Sequence, residues 1–154
     1  MTKRSMILDT ASILRILPHR GPAVHVDRVL EVTPGQRILA VKNMSITDPG
    51  FTGHFAGQPI YPAALLVHCM VQTCTILAYA TEPFDPGAEA VSLVGMNKTK
   101  FSRSVVPGDV LEIEAEMTQR RSNTWRFRVK LFAADREIAE SGIVLSIHDL
   151  DDTL

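Results

Sequence analysis

The sequence predicts an α+β fold in which one antiparallel sheet of six strands wraps around a single long helix. Two observations carry this. One apolar stretch, residues 63–80, runs without a glycine or proline for about five helical turns. Four β-like runs follow it with only short turns between them, so those strands are antiparallel neighbours and not parallel strands joined by crossover helices. At 154 residues the chain makes one domain, residues 1–154, long enough to bury a core and too short for two.

Asp9 or Thr10 caps a short helix running to Leu17, with Ile13, Leu14 and Leu17 on one apolar face, and Pro18 ends it. Residues 23–32 and 37–45 are rich in Val, Ile and Leu, and Thr33-Pro34-Gly35-Gln36 between them carries turn chemistry, which predicts two strands. The stretch 47–61 holds Pro49, Gly50, Gly53, Gly57 and Pro59, too many breakers for regular structure, and reads as a site-forming loop. Pro62 then opens the long helix, where its missing N–H needs no partner. The apolar residues Leu65, Leu66, Val67, Cys69, Met70, Val71, Ile76 and Leu77 run almost all the way round, as in a helix covered on most sides. Residues 81–89 form a polar loop. Four strands follow at 90–101, 110–119, 124–133 and 136–147, separated by Pro107-Gly108-Asp109, Arg121-Ser122-Asn123 and Ala134-Asp135. Residues 149–154 read as a frayed acidic tail. A sheet curled round one helix leaves strand edges and an apolar flank uncovered, so at least a dimer is expected, by edge pairing.

With 45% hydrophobic residues, 21% charged residues and a net charge of -1, the composition is that of an ordinary globular protein with no bulk field for nucleic acid. Lys3 and Arg4 are followed by no signal-peptide core, no run is expected to reach the length of a membrane span, and a cytoplasmic protein is expected. Cys69 and Cys74, five apart in the long helix, point to different faces and read as small buried hydrophobes. No CxxC or HxxxH spacing supports a metal site, so none is expected.

The densest constellation is Gly53-His54-Phe55-Ala56-Gly57-Gln58-Pro59-Ile60-Tyr61-Pro62, a histidine bracketed by glycines just before a buried helix. Glycine there lets backbone approach a ligand closely. The N–H groups of Ala63, Ala64 and Leu65 point outward at the positive end of the helix dipole, placed to polarise an acyl carbonyl oxygen. His68 and Gln72, at i and i+4, share one face of that helix. Plainer readings stand beside these. His54 can be a hydrogen-bonded loop residue, His68 and Gln72 a buried polar pair satisfying each other or a partner subunit, and His19, His25 and His148 structural. Lys98, Lys100, Arg103, Arg120 and Arg121, with Arg126 and Arg128, are solvated strand faces or else a docking patch for an acidic carrier.

Leu17-Pro18-His19-Arg20 with Val26-Asp27-Arg28-Val29, then Lys42-Asn43, Gly53-His54-Phe55, Gly57-Gln58-Pro59-Ile60, Pro62, Gln72 and Val106-Pro107-Gly108-Asp109 follow one another in an order that resembles the FabZ-type 3-hydroxyacyl-acyl-carrier-protein dehydratases, over residues 13–147. The resemblance implies a hot-dog fold, homodimers often assembled as trimers of dimers, no cofactor, and substrates held as thioesters on the phosphopantetheine arm of acyl carrier protein. It also implies a site between two subunits, with a motif histidine from one and an acidic residue on the central helix of the other. Carried onto this chain, His54 takes the catalytic histidine's place and the Ala63 N–H that of the amide holding the thioester carbonyl, with Gly53, Phe55, Ala64 and Gln72 beside the substrate. The family's glutamate falls six residues after the helix-opening proline, where this chain has His68. Ala56, Ala63 and Gly21 are further departures.

Dehydration needs a base for the C2 proton and an acid for the departing C3 hydroxyl, and imidazole can serve as either. Several readings follow. One is a dehydratase with His54 as base and His68 as acid, in fatty acid or polyketide/polyene biosynthesis. The second is a FabZ-like subunit that takes its acid from a second dehydratase-like partner in a heterodimer. The last is an acyl-thioester isomerase, hydrolase or binding protein.

Overall fold

A computed structural model of the chain describes residues 5–153, so the expectations placed on Lys3, Arg4 and Leu154 lie outside the described residues. In chain order the elements are β1 (Met6–Leu8), α1 (Thr10–Ile16), β2 (Arg28–Thr33), β3 (Arg37–Asn43), α2 (Ala63–Thr81), β4 (Glu89–Phe101), β5 (Val110–Arg121), β6 (Thr124–Ala133) and β7 (Arg136–Asp149). Seven strands, one more than the sequence predicts, form a single antiparallel sheet in the order β1-β2-β3-β5-β6-β7-β4. The extra strand is β1, which pairs Met6 with Val32 and Leu8 with Val29 at one edge. Three residues are too few to show a period-2 pattern in sequence. At the other edge lies β4, a 13-residue strand paired on one side only.

Alternation decides which side of each strand faces in. Leu111, Ile113 and Ala115 of β5 are buried while Glu112, Glu114 and Glu116 face out. On β6, Trp125, Phe127, Val129 and Leu131 are buried against outward Arg126 and Arg128. These inner faces close over α2, which contacts β2, β3, β5, β6, β7 and β4. The residues of α2 buried there include Leu66, Cys69, Met70, Cys74, Ile76 and Leu77. Its buried hydroxyls cost little, because Thr73 and Thr75, like the half-buried Thr81, each bond back to the carbonyl four residues earlier, at 2.7–2.9 Å. Contrary to the sequence expectation, α2 is long and apolar enough to cross a membrane, with a mean hydropathy of 1.6; more than half of that window is buried inside the protein, which accounts for the apolar surface.

Asp9 caps α1, its carboxylate accepting from the Ser12 N–H at 2.9 Å. Ile13, Ile16 and Leu17 are the buried face, with Leu14 half-buried, and the Arg20 guanidinium closes the far end by donating to the carbonyls of Leu14, Leu17 and His19. The predicted strand 23–32 starts late, at Arg28, because Gly21–Ala23 form a 3-10 turn led by a left-handed glycine and a proline. The loop before α2 also holds a turn of 3-10 helix, Pro49–Phe51. The expected frayed tail is ordered instead, since Leu150–Thr153 form a 3-10 turn and the Leu150 N–H bonds to the Ala88 carbonyl at 2.9 Å.

Candidate active site

His54 is presented by a short hairpin of backbone. Phe55 and Gln58 exchange both main-chain hydrogen bonds, at 3.0 and 3.1 Å, leaving Ala56-Gly57 at the tip. Gly57 has φ +76°, the value the third position of a type II turn requires and the reason glycine stands there. The Ile60 N–H donates to the His54 carbonyl at 2.8 Å, and His54 Nδ1 lies 2.8 Å from the Ile60 carbonyl. A carbonyl only accepts, so Nδ1 carries the proton and the neutral ring keeps its lone pair on Nε2. Phe55, 57% exposed, stacks on the imidazole at 4.2 Å. The chain then enters α2 through Tyr61, whose N–H is held by the Val105 carbonyl at 2.8 Å.

Ala63 and Ala64 are exposed, and among the described residues their N–H groups make no hydrogen bond. Leu65, expected to be free as well, is not: its N–H donates to the Pro62 carbonyl at 3.0 Å, because the first turn of α2 tightens to an i to i+3 bond. Two amides, not three, are left to receive an oxygen.

His68 and Gln72 do not satisfy each other. Gln72 is buried, its Oε1 accepting from the His25 N–H at 2.8 Å and its Nε2 donating to the Ala23 carbonyl at 2.7 Å, so it pins the segment that precedes β2. His68 is exposed on the opening turns of α2 and meets the ring of His25 edge-on, with centroids 5.5 Å apart. No hydrogen bond or ring contact among the described residues joins His54 to His68, and no ion pair reaches either ring.

Behind His68 lies a buried polar chain that sequence reading missed. His25 is 4% exposed, and its Nδ1 lies 3.2 Å from Tyr61 Oη. Lys42 Nζ sits 5.7 Å from the Tyr61 ring centroid and 2.9 Å from Asp48 Oδ2. Burial, the Lys42 ammonium and the nearby His68 push the His25 imidazole down to about 4, so it is neutral at physiological pH. Burial also raises the Tyr61 phenol, which stays protonated. For Asp48, burial acts upward but the Gly50 N–H and Lys42 outweigh it, leaving the carboxylate below its ordinary range. The signal that could have exposed this chain is spacing across the fold, not along the sequence, since residues 25, 42, 61 and 68 meet only in three dimensions. Cys69 and Cys74 are free, buried thiols, and burial pushes Cys69 up to about 12, which removes them as nucleophiles.

The basic residues do not form one cluster. Arg121 pairs with Thr124, which lies in register with Ser146 and Ser92, whereas Lys98 is six residues further along β4, roughly 20 Å at strand spacing. Arg120 is tied to Glu82 and stacked on Trp125, 4.3 Å from its ring centroid. Lys98, Lys100 and Arg103 remain exposed at the other end.

Residues 17–141 match the FabA-like domain family. The 3-hydroxyacyl-acyl-carrier-protein dehydratase FabZ of Myxococcus xanthus is 36% identical over 144 residues, which cover 94% of each chain, and that of Sorangium cellulosum is 40% identical over 148 residues, 96% of each. This chain belongs to the FabZ dehydratase family. The fold agrees with that of the dehydratase heterocomplex ApeI:P from Xenorhabdus doucetiae, at a TM-score of 0.78 and 15% identity over 92% of this chain and 93% of that one. In this FabZ-family chain the motif residues divide their work. Arg20 and Gln72 hold backbone, as does Asp27, whose carboxylate accepts from the Asn43 N–H at 2.7 Å, while His54 bonds through Nδ1 and leaves Nε2 without a hydrogen bond among the described residues.

Proposed function

We propose that this protein removes water from 3-hydroxyacyl thioesters carried on acyl carrier protein, giving 2-enoyl thioesters, with His54 as the base. The observation that supports this is the 2.8 Å contact from His54 Nδ1 to the Ile60 carbonyl, which leaves Nε2 as a proton acceptor on the loop that leads into α2. In the reaction Nε2 takes the C2 proton, and the Ala63 and Ala64 N–H groups receive the negative charge that grows on the thioester oxygen. His68, which does not meet His54 within the chain, acts from a second protomer and protonates the departing C3 hydroxyl. Leu93, Val94 and Met96, all exposed, line the unpaired edge β4, the surface a second copy covers by edge pairing. The carrier docks on Lys98, Lys100 and Arg103, the last of which lies two residues before Val105, whose carbonyl accepts from the Tyr61 N–H. We place the reaction in the cytoplasm, in fatty acid synthesis. Incubating 3-hydroxyacyl carrier protein with wild type and His54→Ala, and reading intact masses, tests the reading: wild type converts substrate to the product lighter by one water, and His54→Ala does not. Equal conversion by the variant overturns it.

One observation favours a second reading, in which a different FabZ-like subunit supplies the acid: among the described residues no carboxylate pairs with His54 or His68. Full activity of the purified homo-oligomer excludes it.

A further inference from the structure

We propose that His25 is a positioning residue for His68, holding that imidazole in the direction it must face to give a proton. The proposal deepens the function proposed above and rests on His68 acting in the site.

The main chain at His25 is held independently of its side chain. Gln72 fixes its segment through the main chain, binding the His25 N–H and the Ala23 carbonyl, so the backbone path does not depend on the side chain at position 25. A buried imidazole is costly unless its nitrogens are used. One nitrogen faces Tyr61 Oη at 3.2 Å, and the ring as a whole meets His68 edge-on, 5.5 Å between centroids and 66° between planes. Tyr61 is itself fixed: its ring packs on Phe51 at 5.2 Å, its N–H is held by Val105, and the Lys42–Asp48 pair stands alongside. A rigid polar chain therefore ends on the one solvent-open imidazole of α2. His68 stands on an exposed helix face one turn from Ala64, and the His25 ring is its one ring contact among the described residues. A general acid displaced by about 1 Å loses on the order of a hundredfold in rate, so a fixed neighbour at this point has a catalytic consequence.

The charged and titratable groups around the pair are His19 from the segment after α1, Lys42 from β3, Asp48 from the loop and Tyr61 before α2. Of these His19 is the other imidazole that His68 influences. Its Nδ1 is buried with no partner among the described residues, and burial together with the nearby His68 lowers its affinity for protons.

The test compares His25→Leu, Tyr61→Phe and His68→Ala as assembled oligomers, measuring kcat, KM, the pH dependence of kcat, and ring 1H–15N correlations of His68. We expect His25→Leu to lower kcat by about tenfold or more with KM changed less than about threefold, to shift the kcat profile along pH, and to move the His68 ring signals towards those of a free imidazole. Tyr61→Phe, which removes one oxygen, does the same to a smaller degree and decides the matter if His25→Leu fails to fold. A wild-type kcat, pH profile and His68 spectrum in the folded variants overturn the proposal. Loss of thermal stability with kcat and pH profile unchanged also overturns it, as the signature of a merely structural residue. If His68→Ala is as active as wild type, the reading of His68 itself falls; if His68→Ala is inactive while His25→Leu is normal, only the positioning role falls.

Discussion

At the scale of single residues, the site is defined by which nitrogen carries which proton. The Ile60 carbonyl assigns the His54 tautomer, so His54→Ala should cost about 10²- to 10⁴-fold in dehydration rate, read from the mass of the carrier-bound product. At position 68 an imidazole stands where the resemblance to the FabZ dehydratases implies a carboxylic acid, and His68→Glu is expected to raise the rate of water loss by about tenfold or more in the same assay. His25 has a consequence for stability as well. The folded chain keeps it neutral down to about pH 4, whereas the unfolded chain protonates it near pH 6.5, so between those values the unfolded state binds more protons. Stability therefore falls as pH drops through that window, by an amount on the order of 3 kcal/mol, and His19 acts in the same direction. Urea midpoints taken between about pH 7 and pH 4.5 should show this slope in wild type and a flatter one in His25→Leu.

Between residues and the whole chain, elements set the geometry of the site by how closely they approach. Gly50 sits in the 3-10 turn before His54, where an added Cβ would overlap the Tyr61 ring and meet Leu65 at the start of α2. Gly50→Ala should destabilise by about 1–3 kcal/mol, measured by thermal or urea unfolding. Because the displaced group is the tyrosine that holds His25, kcat should fall in the protein that remains folded. The turn at Pro107-Gly108-Asp109 plays a matching part. The Gly108 N–H and Met44 carbonyl meet at 2.7 Å and the Met44 N–H and Asp109 carbonyl at 2.9 Å, so the strand after the turn is locked to the segment that leads into the site loop. A motif that reads as a turn between strands in sequence also clamps two elements together.

For the molecule as a whole, the unpaired edge β4 is the feature that demands a partner. A 13-residue edge bearing Leu93, Val94 at 57% exposure and Met96 is a template for strand pairing. Val94→Lys should yield a monomer in light scattering, and activity should vanish with the dimer, since His54 and His68 do not meet within one chain. A variant that is monomeric and fully active would show that the site is complete in a single protomer. Reversal of charge at Arg103 should raise KM for carrier-bound substrate and leave a small soluble thioester unaffected.

Much of this architecture was legible in the sequence because it is written in local periodicity. The buried helix, the Val110, Thr124 and Arg136 strand starts, and the glycine-flanked histidine all follow from spacing of two or 3.6 residues and from breakers between. The shortest strand, the 3-10 turns at Gly21 and Leu150, and the bonded Leu65 amide escaped, since each is decided by a neighbour far along the chain or by one extra turn of tightening. The two groups of basic residues, at 98–103 and 120–121, proved to lie at opposite ends of the sheet, because strand register separates them. Sequence alone determined the secondary elements, their order and the family motif, for these depend on chemistry within a few residues. Only tertiary structure decided the proton on His54, the partner of Gln72 and the chain from Lys42 through Tyr61 and His25 to His68, because burial and contact between remote residues are properties of the folded packing.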